Sequence, residues 1–415
     1  MNDDGAVVVV GAGHGGFTFV TALRQTGFTG EIHLIGDENE LPYQRPPLSK
    51  EVLLGQKSPE ALAFRPEQFY EKNQVTTSLG DGVVTIDRDA RSVRLRSGRV
   101  VAYRHLVLAL GASAVQLPIK GSDLPGVRYL RSLADARHLA PAVHNTSRLV
   151  IVGGGLIGME VAAAAADHGV VTTVVEASGS VMARAVSTTI AKHLQRLHRA
   201  RGVDLRLDTA LVELRSNESG SIDALVSSGE VLTADAVLIS AGARPRTALA
   251  TDAGLAVDDG IEVDEHLTTS DPNISAIGDC ARFAHSRYGR IRIESVQNAT
   301  DQARHVAARL AGSQHLGYGA VPWFWTTQFG TKVQMAGICT AEGQQVTIGD
   351  IAEEKFSVYR FVDDRLVCVE SINAPGEHMA ARRLLAAPDP ITIGHVTAVG
   401  FDPKQLAKTM GPAQP

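Results

Sequence analysis

The sequence has few cysteines and little net charge. Its 415 residues include three cysteines, Cys280, Cys339 and Cys368, with no C-x-x-C pair. Such spacing lacks the two close cysteines through which disulfide reductases relay electrons, and it is unsuited to a metal site. We therefore expect three buried apolar residues. A net charge of −5 argues against a nucleic-acid partner, because nucleic-acid binding needs a basic excess.

Long apolar segments are also absent from the sequence. No run reaches the roughly 18 to 20 residues of a membrane helix. The first predicted strand begins by about Ala6, which leaves no room for a signal peptide. We therefore expect a cytoplasmic protein that does not enter a membrane. Its length suits two or three domains.

Two glycine-rich turns are the strongest positive signal. Residues 11–16 read G-A-G-H-G-G and residues 153–158 read G-G-G-L-I-G, each directly after an aliphatic run. A buried strand that leads into such a turn and then a helix is typical of a dinucleotide-binding fold. There the first glycine permits a tight turn, the second lets backbone N–H groups approach a pyrophosphate, and the third lets the helix pack closely. These glycines are, in order, Gly11, Gly13 and Gly16 in the first turn and Gly153, Gly155 and Gly158 in the second.

Each turn is followed by a further strand that ends near a carboxylate. Residues 31–35 precede Asp37, and residues 170–175 precede Glu176. A carboxylate at this position accepts hydrogen bonds from ribose hydroxyls. The charge of Glu176 would repel a 2′-phosphate, and residues 177–179 contain no arginine. The second site is therefore expected to favour NADH over NADPH.

The order of strands and helices predicts an α/β chain of three domains. One Rossmann-like domain is expected over residues 1–113 and 243–317, and another over residues 114–242. Beyond residue 318 the alternating strands predict an antiparallel sheet, followed by a helix. Residues 318–415 therefore form a separate α+β domain in this prediction.

Four further segments are similar to those of one known family. They are Pro42–Lys50 (P-Y-Q-R-P-P-L-S-K), Ile277–Phe283, Glu294–Ala299 and Pro322–Trp325. With the paired turns, they make essentially the whole chain resemble the FAD-dependent NADH:ferredoxin reductases of bacterial oxygenase systems, the family of putidaredoxin reductase and biphenyl dioxygenase reductase. The resemblance implies the glutathione-reductase-like pair of dinucleotide-binding domains found in this flavoprotein superfamily.

The resemblance implies that the first fold holds FAD and the second binds NADH, with no metal. It places Arg45 and Lys50 at the flavin, and Glu160 near the flavin N5, paired with Lys50. It places Trp325 near the flavin or the path to the acceptor, so Lys50, Glu160 and Trp325 are the predicted catalytic residues. The other cofactor contacts that it implies are Gly15, Val83, Ala109, Gly111, Arg131, Asp279 and Val296 on the FAD side, and Ile157, Arg184 and Gly242 on the NADH side.

The resemblance also implies a reaction and a partner. NADH gives a hydride to FAD, and the electrons leave one at a time to a small acidic 2Fe-2S ferredoxin, bound transiently, that serves a monooxygenase or a ring-hydroxylating dioxygenase. Positively charged side chains steer an acidic partner. The candidates for this steering are Arg287, Arg290, Arg292, Arg304 and Arg309.

Three positions depart from the family pattern. Leu110 stands in an A-L-G sequence where A-T-G is usual, and Thr327 stands where the family has aspartate in W-S-D-Q. The change at Thr327 removes a charge near the expected flavin edge. His14 occupies a turn position that is usually small or aliphatic, and we expect it to be a partly exposed side chain.

Two alternative functions remain open from the sequence. The first is a reductase of another acceptor, such as rubredoxin, a quinone or a monodehydroascorbate-like radical, with the same reducing half-reaction. The second is a redox-gated binding protein resembling the apoptosis-inducing factors, in which NADH binding alters assembly. The lack of a long basic insertion counts against the second.

Overall fold

The computed structural model of the chain describes residues 5–314, 316–339 and 343–410. The chain forms two compact units. Unit 1 consists of residues 1–45, 60–113 and 243–320. Unit 2 consists of residues 46–59, 114–242 and 321–415.

The described residues form 26 strands and ten α-helices. The strands are β1 (Val7–Val10), β2 (Ile32–Ile35), β3 (Val75–Ser78), β4 (Val83–Asp87), β5 (Ser92–Leu95), β6 (Val100–Ala102), β7 (His105–Leu108), β8 (Ala112–Ala114), β9 (Val127–Arg128), β10 (Arg148–Val152), β11 (Val171–Val175), β12 (Asp204–Arg206), β13 (Leu211–Ser216), β14 (Ile222–Val226), β15 (Val231–Ala234), β16 (Ala236–Ile239), β17 (Ala243–Pro245), β18 (Ile261–Val263), β19 (Ile274–Ala276), β20 (Ala281–His285), β21 (Gly289–Arg292), β22 (Trp323–Gln328), β23 (Thr331–Gly337), β24 (Gln344–Asp350), β25 (Lys355–Val362) and β26 (Arg365–Ile372). The helices are α1 (His14–Gln25), α2 (Glu67–Lys72), α3 (Leu133–His144), α4 (Leu156–Asp167), α5 (Thr188–Ala200), α6 (Ala248–Asp252), α7 (Val296–Leu310), α8 (Pro375–Ala386), α9 (Ile393–Thr397) and α10 (Pro403–Thr409).

Unit 1 is built on a parallel five-stranded sheet with strand order β19-β7-β1-β2-β3. All four residues of β1 are buried valines, as expected of a parallel strand that is covered on both faces. Helix α1 contributes Phe19 and Leu23 to the core, and α7 contributes Val306. Strand β19 belongs to residues 243–320, the last stretch of unit 1, and pairs with β7, with Ile274 opposite Leu106.

Unit 2 holds a second parallel sheet and an antiparallel one. The parallel sheet has the order β12-β11-β10-β16-β9, and the antiparallel sheet has the order β22-β23-β26-β25-β24. Helix α8 packs against β23 and β26. The segment 46–59 belongs to the same unit, because Leu53 lies in one apolar cluster with Leu149 and Met159. Two Rossmann-like sheets and a C-terminal antiparallel sheet confirm the predicted fold class.

The expectation of buried cysteines holds for Cys280 and Cys368 but not for Cys339, which is only partly buried, and the pairing of the last two was not expected. Cys339 and Cys368 form a disulfide. Cys368 lies opposite Gly337 in the β23–β26 ladder, and Gly337 is two residues before Cys339. Strand pairing, which spacing alone does not reveal, brings the two cysteines together. Cys280 is buried as expected, and burial raises the pKa of its thiol to about 11.

Residues 5–314, 316–339 and 343–410 lack two features. In that part of the chain, no helix has the length and apolar character needed to cross a membrane. The same residues contain no cluster of three or more His, Cys, Asp or Glu side chains suited to holding a metal ion.

Candidate functional site

The first glycine turn, in unit 1, leaves space beside its second glycine. Gly11 has φ +116°, and a Cβ there would collide with the Ala109 carbonyl. A Cβ at Gly16 would collide with the Gly11 carbonyl, so both positions require glycine. At Gly13 the nearest heavy atom to a Cβ would be Arg45 Nε at 3.9 Å.

The second turn, in unit 2, repeats this arrangement. Gly153 has φ +106°, and a Cβ there would collide with the Ser240 carbonyl. A Cβ at Gly158 would collide with the Gly153 carbonyl, whereas a Cβ at Gly155 would meet no atom within 4 Å. Both turns therefore leave the middle glycine open.

Each open glycine is also the N-cap of a helix. Gly13 precedes α1 and Gly155 precedes α4, and neither helix start is capped by a side chain. The first N–H groups of a helix have no intrahelical partner and favour an anion. An open backbone cradle at an uncapped helix start fits a pyrophosphate, so both sites suit a dinucleotide.

The predicted ribose carboxylates have different surroundings. In unit 1, Asp37 pairs with Arg96 and, at 3.6 Å, with Arg246, and its side chain is 50% exposed. In unit 2, Glu176 accepts hydrogen bonds from the Gly154 N–H at 2.7 Å and from the Ser178 N–H and hydroxyl at 2.8 and 2.7 Å. Ser178, which no sequence motif singled out, orients the Glu176 carboxylate through these two bonds.

Arg45 lies in a small polar network of unit 1. Its Nη2 is 2.5 Å from Glu38 Oε1, and the Tyr43 hydroxyl donates to Glu38 Oε2 at 2.6 Å. Burial by itself would lower the pKa of Arg45, but Tyr43, Glu38 and Asp279 together raise it. The guanidinium stays charged beside Gly13, where it suits a phosphate group. Glu38 was missed because its neighbour Asp37 already completed the motif.

Asp279 lies in a tight turn that is fixed by its neighbours. Gly278 has φ +75°, and its N–H donates to Gln302 Oε1 at 2.7 Å. Arg292 Nη1 donates to the Asp279 carbonyl at 3.2 Å. The backbone around Asp279 is thus held from two sides, by α7 and by β21.

The predicted pairing of Lys50 with Glu160 is present in unit 2. Lys50 Nζ lies 2.7 Å from Glu160 Oε2, and the two side chains are 18% and 4% exposed. The Ser49 hydroxyl donates to the same oxygen at 2.5 Å, and the Thr326 hydroxyl donates to Oε1 at 2.6 Å. Three donors therefore surround one buried carboxylate. Ser49 and Thr326 were not predicted as partners, although Ser49 lies in the segment Pro42–Lys50 and Thr326 directly follows the segment Pro322–Trp325.

The two tryptophans lie on one face of β22. The Trp323 and Trp325 rings are 5.6 Å apart, as the i, i+2 spacing indicates. Trp323 lies under the Arg382 guanidinium at 4.6 Å and edge-on to His378 at 5.4 Å. Trp325 is half-buried, and its proximity to the flavin stays a prediction.

The remaining predicted contacts are divided between the two units. Unit 1 contains Gly15, Val83, Ala109, Gly111 and Val296, and unit 2 contains Arg131, Ile157, Arg184 and Gly242. Arg184 Nη2 would be 3.3 Å from a Cβ at Gly242, so these two residues are close neighbours. Ile157 is 39% exposed beside the second turn. Arg131 belongs to unit 2, and its role toward FAD stays a prediction.

The departures from the family pattern have ordinary structural surroundings. His14 packs edge-on against Phe64, with ring centroids 5.0 Å apart. Leu110 packs partly buried against the unit 1 core. Thr327 is half-buried on the tryptophan face of β22.

Most of the arginines considered for steering already have partners in unit 1. Arg290 pairs with Glu262 at 3.3 Å and Arg292 with Glu294 at 2.6 Å. Arg304 pairs with Asp301 at 3.1 Å. Arg309 donates to Ser275 at 2.7 Å. Since at least three of these charges are matched by carboxylates, the group is weaker as a steering surface than the sequence suggested.

The chain is similar to known proteins over nearly its whole length. The family model for pyridine nucleotide-disulphide oxidoreductases matches residues 5–303, and the model for the reductase C-terminal domain matches residues 323–407. The chain is 44% identical over 401 residues to rhodocoxin reductase of Rhodococcus erythropolis, covering 96% of this chain and 93% of that protein. It is similar to the crystal structure of the ferredoxin reductase for the CYP199A2 system of Rhodopseudomonas palustris, with a TM-score of 0.94, 40% identity and coverage of 98% of this chain and 100% of that one. It is also similar to the covalent putidaredoxin reductase–putidaredoxin complex, with a TM-score of 0.93, 34% identity and coverage of 98% and 99%. The chain therefore belongs to the pyridine nucleotide-disulphide oxidoreductase family, as a flavoprotein oxidoreductase with a reductase C-terminal domain.

Proposed function

We propose that this chain transfers electrons from NADH, by way of bound FAD, to a small 2Fe-2S ferredoxin that serves a monooxygenase or a ring-hydroxylating dioxygenase. The observation that carries the proposal is the pair of open glycine cradles, one in each unit. FAD is assigned to the domain of residues 1–113 and 243–317, and NADH to the domain of residues 114–242. Residues 318–415 are the C-terminal domain.

The unit 1 cradle is the proposed FAD site. Bound FAD supplies hydride acceptance and the release of single electrons. The N–H groups at the start of α1 and the Arg45 guanidinium hold the pyrophosphate, and Asp37 accepts from the adenosine ribose. Asp279 accepts from hydroxyls of the cofactor at the end of β19.

The unit 2 cradle is the proposed NADH site. The N–H groups at the start of α4 hold the pyrophosphate, with Arg184 beside Gly242 as a further phosphate contact. Glu176 exchanges one of its hydrogen bonds, from Gly154 or Ser178, for hydrogen bonds from the ribose hydroxyls. Its charge disfavours a 2′-phosphate, which makes NADH the preferred nucleotide.

Lys50 and Glu160 hold the reacting groups in place under this proposal. Hydride transfer needs no proton from the protein, so neither side chain has to donate one. Glu160 accepts from Ser49, Lys50 and Thr326, which fixes the Lys50 ammonium in one position. A fixed positive charge at the reaction site adjusts the electronics of a bound cofactor.

The cysteines support an external electron acceptor. Cys280, the single cysteine of unit 1, is buried with a raised thiol pKa, so it is a poor nucleophile. The disulfide of Cys339 and Cys368 lies in the C-terminal sheet of unit 2, where Cys368 is fully buried. Neither provides an exposed dithiol relay. The names of the relatives, which include a reductase in covalent complex with putidaredoxin, support a ferredoxin as acceptor.

Steady-state reduction of cytochrome c tests the choice of acceptor. The FAD-loaded chain is given NADH and cytochrome c, alone or with a 2Fe-2S ferredoxin or a rubredoxin. We expect the 2Fe-2S ferredoxin to raise the rate at least about tenfold. A larger stimulation by rubredoxin would replace the proposed acceptor. A flavin that forms a lasting complex with NAD and stimulates neither protein would favour a redox-gated binding protein.

A further inference from the structure

Strand β22 presents two polar side chains to the interior of unit 2. Along the strand, Thr326 and Gln328 lie on the face opposite the two tryptophans, and both are fully buried. Fully buried polar side chains are costly unless they are hydrogen-bonded. The hydrogen bonds of Thr326 and Gln328 therefore show which groups this face of the strand contacts.

The bonds form a continuous chain that leads to Glu160. His198 Nε2 lies 2.8 Å from Gln328 Oε1. Gln328 Nε2 donates to Thr326 Oγ1 at 3.3 Å. The Thr326 hydroxyl then donates to Glu160 Oε1 at 2.6 Å. A helix residue of α5, two strand residues of β22 and a helix residue of α4 are joined in this way.

Every bond in the chain runs in one direction. Burial lowers the pKa of His198 to about 4, so the imidazole is neutral and carries one N–H. The amide oxygen of Gln328 only accepts, which places that proton on Nε2 of His198. Thr326 accepts from Gln328 and has one proton left, which goes to Glu160. Together with Ser49 and Lys50, all neighbouring groups thus donate toward the Glu160 carboxylate.

We propose that Thr326, Gln328 and His198 are positioning residues that hold Glu160, and through it the Lys50 ammonium, in a single geometry. This proposal rests on the proposed function, in which Lys50 and Glu160 lie where the hydride is transferred. It assigns the strand β22 of the C-terminal domain a part in the reaction with NADH, separate from its tryptophans.

Both oxygens of the Glu160 carboxylate are hydrogen-bonded. A buried ion pair holds its position only when its remaining lone pairs are satisfied. Ser49 and Lys50 both bind Oε2, so Thr326 is the donor found at Oε1. Without the Thr326 hydroxyl, Oε1 loses that bond and Gln328 Nε2 loses its oxygen acceptor. The carboxylate is then free to rotate, and the Lys50 ammonium moves with it.

A matched set of threonine variants tests the proposal. T326V removes the hydroxyl and T326S keeps it. T172V is the control, because Thr172 is also buried in unit 2 but donates to the Val170 carbonyl at 2.9 Å. Stopped-flow flavin reduction at saturating NADH should be about 10- to 100-fold slower in T326V, with T326S and T172V near wild type. The dissociation constant of NADH should change less than about threefold, because the effect is on positioning.

A second readout does not depend on turnover. Lys50 is labelled with an amine-reactive reagent, and the modified peptide is quantified by mass spectrometry. We expect Lys50 to be modified several times faster in T326V than in the wild type, T326S or T172V. If T326V does not fold, Q328M gives the same comparison, since it keeps the side-chain length and removes the donor to Thr326.

The outcomes separate this proposal from the proposed function. Wild-type rates of both flavin reduction and Lys50 labelling in folded T326V would overturn the positioning role. A wild-type flavin that NADH does not reduce would instead defeat the proposed function. In that case faster labelling of Lys50 in T326V still supports the positioning of Lys50 by Thr326 through Glu160. Unchanged labelling rejects this positioning role.

Discussion

Two glutamates of unit 2, Glu160 and Glu176, differ in whether their hydrogen bonds can be exchanged for bonds to a ligand. Glu160 is buried and bonded to three side chains from two other segments, Ser49 and Lys50 from one and Thr326 from the other, which fixes its position. Glu176 is only partly buried and accepts from the Gly154 N–H of the glycine turn and from Ser178, two residues further along the chain. These bonds come from the turn that faces the proposed nucleotide site, so they can be exchanged for ribose hydroxyls there. Glu160 is therefore suited to positioning, and Glu176 to recognition of the nucleotide.

Reversal of the charge at Glu176 should change nucleotide preference. E176R removes the ribose acceptor and the repulsion of a 2′-phosphate. The ratio of kcat/KM for NADPH to that for NADH should rise about 10- to 100-fold. E218R makes the same charge change at an exposed residue of unit 2 and should leave the ratio unchanged. An unaltered ratio in E176R would show that Glu176 does not read the ribose.

At the element scale, the glycine turns separate folding from binding. The first and third glycines of each turn face a backbone carbonyl, whereas the second faces open space. Substitutions within one turn should therefore have different consequences. The second turn gives the clearest case, because a Cβ at Gly155 meets nothing within 4 Å and its φ of −76° suits any residue.

Alanine at two positions of this turn should give opposite phenotypes. The free energy of unfolding of G155A should lie within about 0.5 kcal/mol of the wild-type value. Its methyl group should weaken NADH binding about tenfold, because the group enters the space where the pyrophosphate would lie. G158A should lose about 1 to 3 kcal/mol of stability, because its Cβ collides with the Gly153 carbonyl. Denaturant unfolding and NADH titration measure the two effects. Equal losses of stability in both variants would contradict the assignment of the open position.

The junction of β26 with α5 should make stability depend on pH. Burial raises the pKa of Glu370 from 4.5 to about 7, although Ser187 and Arg360 act to lower it. Glu370 accepts from the Ser187 N–H at 2.6 Å, at the N-cap of α5. Because its folded pKa is raised, its contribution to stability is complete below pH 4.5 and is lost as the pH rises through about 7.

The variant E370Q isolates this effect. Between pH 5 and pH 8 the wild-type melting temperature should fall relative to that of E370Q, which does not titrate at this position. The buried histidines His105 and His198 have lowered pKa values, and their contributions cancel in the comparison. Parallel pH profiles for wild type and E370Q would contradict the raised pKa of Glu370.

At the scale of the whole molecule, each compact unit carries one glycine cradle. The sequence predicted this because strands, turns and their carboxylates are local patterns within about 25 residues of each turn. The strand before each glycine turn and both turns lie where the sequence placed them. The fold class was predictable for the same reason.

What the sequence did not predict depends on contacts between distant residues. Thr326 bonds a glutamate 166 positions away, and Ser49 bonds the same glutamate over 111 positions. The Cys339–Cys368 disulfide depends on the pairing of two strands of the C-terminal sheet. No periodicity records such pairings, and a single sequence gives no sign of them until the chain is folded.

The most direct test of the account is a double-mixing stopped-flow experiment without oxygen. The FAD-loaded chain is first reduced with one equivalent of NADH and then mixed with an oxidised 2Fe-2S ferredoxin. The account predicts fast bleaching of the flavin by NADH, followed by reduction of two ferredoxins for each flavin reoxidised, since each ferredoxin takes one electron. A flavin that NADH leaves oxidised, or a reduced flavin that stays reduced in the presence of ferredoxin, would contradict it.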